Sequence, residues 1–135
     1  MITDMKRTAE RIPLEVMNTG NYGLLDELLV PEFVDHSPVG GVAPTREGLK
    51  SSAKALRTAF PDIRYTIEDS IAYGDQIVHR LSATGTMTGE FMGVPPTGKR
   101  ATIRVMDFVR YEDGRIAEHW NVVDVAGLMA QLGAA

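Results

Sequence analysis

The sequence predicts an α+β fold, and three observations predict it. Apolar residues recur at helical spacing up to about residue 60 and at every second residue afterwards. Pro61 falls at the change of period. The helical segments come as a block before the strands, without the alternation that a doubly wound α/β chain would show. At 135 residues the expectation is one domain, 1–135. Roughly two-thirds of the unfolded surface can be buried at this size, so no disulfide or metal is needed to hold a core. The expected sheet is antiparallel. Curved strongly, with helices across its open side, it would form a cone with a pocket inside.

Each element follows from local pattern. Ile12, Val16 and Met17 lie on one helical face of a segment covering roughly residues 3–18, in which Pro13 forces either a kink or a late start. Asn18-Thr19-Gly20-Asn21 stops it. Leu24, Leu25, Leu28 and Leu29 give a short second helix ended by Pro31, and Phe33-Val34 could open a short strand. Ser37-Pro38-Val39-Gly40-Gly41 reads as a loop. Thr45 is a candidate N-cap for a third helix carrying Leu49, Ala53, Leu56 and Phe60 at helical spacing. Beyond Pro61, Ile63, Tyr65 and Ile67 alternate with polar neighbours, the mark of a half-buried strand. Further strands are expected at 77–84, 101–111 and 115–123, with turns at Tyr73–Gln76 and Glu112–Gly114, a Gly- and Pro-rich stretch at 85–98, and a closing helix with Val125, Leu128, Met129 and Leu132.

Composition narrows the chemistry. The chain has no cysteine, which removes disulfides, thiolate nucleophiles and cysteine-ligated metal centres. A formal charge of −4 disfavours nucleic acid as a partner. No apolar run reaches the ~20 residues that span a bilayer, and the first residues lack the apolar stretch of a secretory signal. A cytoplasmic location with no membrane contact is expected. The three histidines are too scattered for a metal site, and neither a Walker loop nor Gly-x-Gly-x-x-Gly nor Gly-x-Ser-x-Gly is present. No metal and no cofactor are expected.

The last hairpin carries the chemistry. A three-residue Glu112-Asp113-Gly114 loop, with Gly114 left-handed, would set Asp107 opposite His119, Val105 opposite Asn121 and Val109 opposite Ala117. A two-residue Asp113-Gly114 turn would instead set Asp107 opposite Trp120. The first register gathers Asp107, His119 and Asn121 on one face among Ile103, Val105, Val109 and Val123, and is the expected one. Apolar walls with a few orienting polar groups are what a small-molecule pocket needs. An imidazole beside a carboxylate is a general acid or base near neutral pH. An ordinary cross-strand ion pair would explain Asp107–His119 equally simply. The opposite face, with Met106, Phe108, Trp120 and Val122, reads as a packing surface for helices or a second subunit.

Three further positions are candidates. Asp35, in Asp35-His36-Ser37-Pro38, either reaches into the mouth of the pocket or caps a turn. Tyr65 and Arg80 would share a face and could line the pocket, although a two-residue Gly74-Asp75 turn pairs Arg80 with Asp69. His36 reads as solvated.

At these residues the sequence resembles the SnoaL-like polyketide cyclases, a branch of the nuclear-transport-factor-2-like superfamily. The likeness runs through Asp35-His36-Ser37-Pro38, Phe60-Pro61-Asp62, Gly74-Asp75, Gly85-Thr86, Gly89-Glu90-Phe91-Met92-Gly93-Val94-Pro95-Pro96-Thr97-Gly98, Asp113 to Trp120 and Leu128 to Gly133. The resemblance implies a cone-shaped α+β barrel with a deep pocket, a dimer or tetramer formed through the sheet, and ring closure by intramolecular aldol condensation without a cofactor. It also implies an aspartate acid/base. Here Asn121 stands at the position matching that aspartate, Asp107 matches an assisting histidine, and Met87 replaces a histidine common among relatives. An amide does not exchange a proton at useful pKa.

The expected function is therefore cofactor-independent acid/base catalysis on a small apolar carbonyl compound. Asp107 and His119 would be catalytic, with Asn121, Asp35, Val105, Tyr65 and Arg80 toward the substrate. Cyclisation and isomerisation both begin with the same proton abstraction. The rival readings are an epoxide hydrolase or dehydratase of the same fold, and a non-catalytic ligand-binding or oligomeric module.

Overall fold

The structure, a computed structural model, describes residues 2–134. Helix α1 covers Ile2–Arg11 and runs on as one π-helical stretch, Ile12–Met17. Pro13 has no N–H to give the helix, so the ladder widens rather than kinking, and Asn18 N–H closes it on the Pro13 carbonyl at 3.1 Å. A 3-10 turn at Tyr22–Leu24 leads into the four-residue α2, Leu25–Leu28. The second helix is shorter than its leucines suggest, because Leu29 already begins strand β1, Leu29–Asp35. Pro31 lies inside this strand. It is tolerated because β1 is an edge strand, where a missing N–H faces no partner.

Helix α3, Arg46–Ala59, starts at Thr45, whose hydroxyl accepts the Gly48 N–H at 3.3 Å. Then follow β2 (Arg64–Tyr73), β3 (Gln76–Thr86), β4 (Arg100–Glu112), β5 (Arg115–Val123) and α4 (Val125–Leu132). Asp124 caps α4 at its start and Gly133 ends it in the left-handed conformation. The Gln131 amide anchors this helix to β4, accepting from Thr102 N–H and donating to Thr102 O.

The five strands form one open, curved sheet in the order β1-β5-β4-β3-β2. The antiparallel expectation holds for β2 to β5, but β1 pairs with β5 in parallel. The reason is topological. β1 reaches the sheet from the helical block and returns through α3, so it is no hairpin partner of its neighbour. On the concave face two cores form. One joins α1, α2 and β1 to the Ile77, Val109 and Ile116 end of the sheet. The other joins Phe60, Ile63 and Met87 to Leu81, Ile103, Val105 and the α4 residues Leu128 and Leu132. The helices cover this face and leave a hollow between the two cores, so the fold is a cone-shaped α+β barrel.

Candidate active site

The hollow is a cavity of about 510 Å³, within the range of small-molecule sites. Its wall is mainly aliphatic and aromatic, with Leu29 and Phe33 from β1, Leu56 from α3 and Val105 from β4 among its members. Asp35, Tyr65, Asp107, His119 and Asn121 bring polar groups to it. A cavity lined by both Asp107 and His119 is not what a closed structural ion pair would leave.

The hairpin that presents these groups differs from both registers read from the sequence. Asp113 and Gly114 form a two-residue turn with φ of 47° and 88°, and Glu112 pairs with Arg115. Beyond Tyr111–Ile116 the pairing slips by one residue at Ala117. Asp107 therefore lies opposite Asn121, Val109 opposite His119 and Val105 opposite Val123. The bulge restores the parity that the tight turn would have lost. Asp107, His119 and Asn121 thus do share the concave face, with His119 diagonal to Asp107 rather than facing it.

A second bulge corrects the reading of Arg80. Asp69 pairs with Arg80 as expected from the Gly74-Asp75 turn, but the register slips between Ile67 and Asp69, so Tyr65 pairs with Ala83. Tyr65 stays on the cavity side while Arg80 turns to the convex face, half exposed and 2.7 Å from the Asp69 carboxylate. Arg80 is not part of the cavity.

Asp35 is drawn in by the parallel pairing of Asp35 with His119. It is 3% exposed. One carboxylate oxygen accepts from His119 Nδ1 at 3.0 Å and from the Ser37 N–H at 2.9 Å. The other imidazole nitrogen, Nε2, lies 2.5 Å from Asp107 Oδ1. This is a close ionic contact and not a well-aligned hydrogen bond, since Asp107 Oδ1 has no partner that meets hydrogen-bond geometry. The imidazole thus stands between two carboxylates. Asp35 reaches the cavity wall, but His119 and the Ser37 N–H occupy it. Ser37, in the loop after β1, also accepts the Asn121 N–H at 3.1 Å and so ties that loop to β5. Its signal was the turn-forming Asp35-His36-Ser37-Pro38 string.

Electrostatics follow from this packing. Burial alone would push His119 down. The Asp107 charge and close contact, with the bond to Asp35, outweigh it and raise the imidazole to about 10, so the ring is charged at neutral pH. Burial would raise Asp35, but the His119 and Ser37 donors prevail and hold it below the ordinary carboxylate value. Tyr65 is pushed up by burial, with the Asp107 charge acting in the same direction, and stays a neutral phenol. Among the described residues no three His, Cys, Asp or Glu side chains converge on a point that a metal could occupy. The carboxylates of Asp35 and Asp107 point at opposite edges of one ring.

On the convex face His36 is exposed, as expected, but it is not without contacts. It stacks on Trp120 with ring centres 4.5 Å apart and meets Glu118 at 2.9 Å, and Glu118 in turn pairs with Arg110. Trp120 also meets the Phe108 edge. Val122 and Met106 beside it are exposed.

Comparison with known proteins agrees with this architecture. The chain is 28% identical over 128 residues to aklanonic acid methyl ester cyclase DauD of Streptomyces sp. strain C5, covering 89% of this chain and 76% of that protein. It is 24% identical to nogalonic acid methyl ester cyclase of Streptomyces nogalater, over 89% and 91% of the two chains. Among solved structures, TsrD from Streptomyces laurentii superposes with a TM-score of 0.90 at 30% identity, over 98% and 97% of the two chains. IdmH from Streptomyces antibioticus gives 0.84 at 35% identity, over 96% and 98%. The model of the SnoaL-like polyketide cyclases matches residues 7–132, and with the cavity and sheet in place the chain belongs to that family.

Proposed function

We propose that this chain closes a ring in a small, largely apolar polyketide-type carbonyl compound by intramolecular aldol addition, without a cofactor. The observation that carries this reading is an imidazole held between two carboxylates on the wall of an otherwise apolar cavity. In this reading Asp107 takes the proton from the carbon next to a carbonyl. The enolate carbon attacks a second carbonyl of the same molecule, and the alkoxide formed receives a proton back. His119 sets the Asp107 carboxylate and Asp35 sets His119. The Asn121 amide and the Tyr65 phenol are the neutral donors for the carbonyl that becomes the enolate oxygen. Val105 belongs to the wall that packs the ligand's apolar body.

The test is incubation of the purified chain with aklanonic acid methyl ester and nogalonic acid methyl ester, the compounds named for its relatives. Ring-closed product is expected from the wild type, and Asp107→Asn should slow its formation by about 10²–10⁴. Exchange of the substrate's α-protons at the full rate in Asp107→Asn would exclude Asp107 as the base. Labelled water entering a small epoxide would favour the hydrolase reading instead.

The proposal extends to assembly and place. The convex face, with Met106 49% and Val122 72% exposed around Trp120, is read as the contact between two copies of the chain, acting in the cytoplasm. No helix among the described residues is long and apolar enough to cross a membrane. Light scattering should give twice the monomer mass, and Val122→Asp with Met106→Glu should give monomer. A wild-type monomer at micromolar concentration would remove this part.

A further inference from the structure

The polar strip on the concave face does not end at Asp107. Ser70 on β2, His79 on β3, Asp107 on β4 and Asn121 on β5 are direct cross-strand partners, one row across four strands. Directly opposed residues have Cβ atoms about 4.5–5.5 Å apart. His79 is 2% exposed. Ser70 Oγ, His79 Nε2 and Asp107 Oδ1 are buried without a hydrogen-bond partner in the protein. Nearly all buried polar atoms are partnered, so each orphan asks for an explanation. Here the three orphans fall on three consecutive strands of the same row. They are one another's neighbours.

We propose that His79 is a positioning residue for Asp107, its neutral imidazole presenting the Nε2–H to the Asp107 carboxylate from the side opposite His119. This rests on the reading of Asp107 as the acid/base group. The structure holds the two residues as cross-strand neighbours without that bond. While His119 is charged, Asp107 has a cation beside it. That contact is not a well-aligned hydrogen bond, and a neutral N–H from across the strand gives the buried carboxylate a second partner without adding charge.

Burial favours the neutral ring at His79. Burial pushes its pKa down, opposed by the Asp107 and Glu10 charges and assisted by Lys6. Lys6 and Glu10 come from α1, packed over this part of the sheet, and Lys6 Nζ also donates to the Ser70 carbonyl at 3.2 Å. Ser70, the next residue in the row, carries an unpartnered hydroxyl; donated to Nδ1, it would leave the ring proton on Nε2.

Histidine-selective nitrogen spectra of the wild type decide the contact. At pH 7 His79 should be neutral with its proton on Nε2, and that N–H signal should shift in Asp107→Ala. A proton on Nδ1, a charged ring at that pH, or unchanged His79 signals in a folded Asp107→Ala would overturn the proposal. The wild-type tautomer decides alone if that variant does not fold. In ring closure, His79→Leu should lower kcat about tenfold with little change in KM, and His79→Gln, which keeps a donor, should recover most of it. Equal kcat in all three would also overturn it. If the wild type closes no ring, the functional reading falls, while the spectra still decide the contact.

Discussion

His119 is a residue on which strong opposing forces meet. Burial disfavours its charge, two carboxylates favour it, and the carboxylates win. Its raised pKa is therefore a statement about stability. A group held above its unfolded value of about 6.5 contributes stability that is fully present below that pH and lost as pH rises through about 10. Asp35 acts in the other direction. Its lowered pKa contributes stability above the ordinary carboxylate range that is lost as pH falls through the folded value. The thermal midpoint of the wild type should decline between pH 7 and 10, and this decline should be clearly shallower in His119→Gln, where no ring titrates. Parallel curves for the two proteins would mean that the imidazole is not held charged by its neighbours.

At the scale of elements, two bulges place the site. β2 is the other edge of the sheet, and the turn after the π-helical stretch guards it: Asn18 Oδ1 accepts the Tyr65 N–H at 2.6 Å and Asn18 Nδ2 donates to the Tyr65 carbonyl at 3.1 Å. An edge strand left with free backbone groups invites pairing with other chains. Asn18→Ala strands both groups, and chemical denaturation should record a loss of about 1–3 kcal/mol. A change under about 0.5 kcal/mol would show that water replaces the clamp. The bulges also explain what the sequence made legible. Alternation within β4 alone fixes Asp107 among Ile103, Val105 and Val109, so the identity of the concave face could be read directly. The partner of Asp107 could not, because the bulge at Ala117 leaves only a faint trace, the adjacent apolar pair Ile116-Ala117. Adjacent Glu68 and Asp69 are the equally faint trace of the bulge that separates Tyr65 from Arg80. The Asp35–His119 contact joins residues far apart in the chain through a parallel pairing, which local periodicity does not encode.

The whole molecule gives up core to hold its cavity. A chain of this size has little apolar surface to spare, yet about 510 Å³ between its two cores is left open. Natural proteins keep such spaces where function needs them and stability tolerates them. Ala53 tests this directly. It is buried on α3 at 2% exposure and lines the cavity. Ala53→Leu adds three carbons that can enter the hollow without displacing core, at roughly 0.8 kcal/mol for each buried methylene. Some of that gain goes to fixing the new side chain. Denaturation should therefore show stability unchanged or raised by up to about 2 kcal/mol, while ring closure falls because ligand and leucine compete for one volume. Destabilisation by more than about 2 kcal/mol would mean that the region is packed core, since overpacking costs about that much. Raised stability with full turnover would place the substrate elsewhere. Stability unchanged or raised, coupled to a loss of turnover, is what fits a cavity kept open for its ligand.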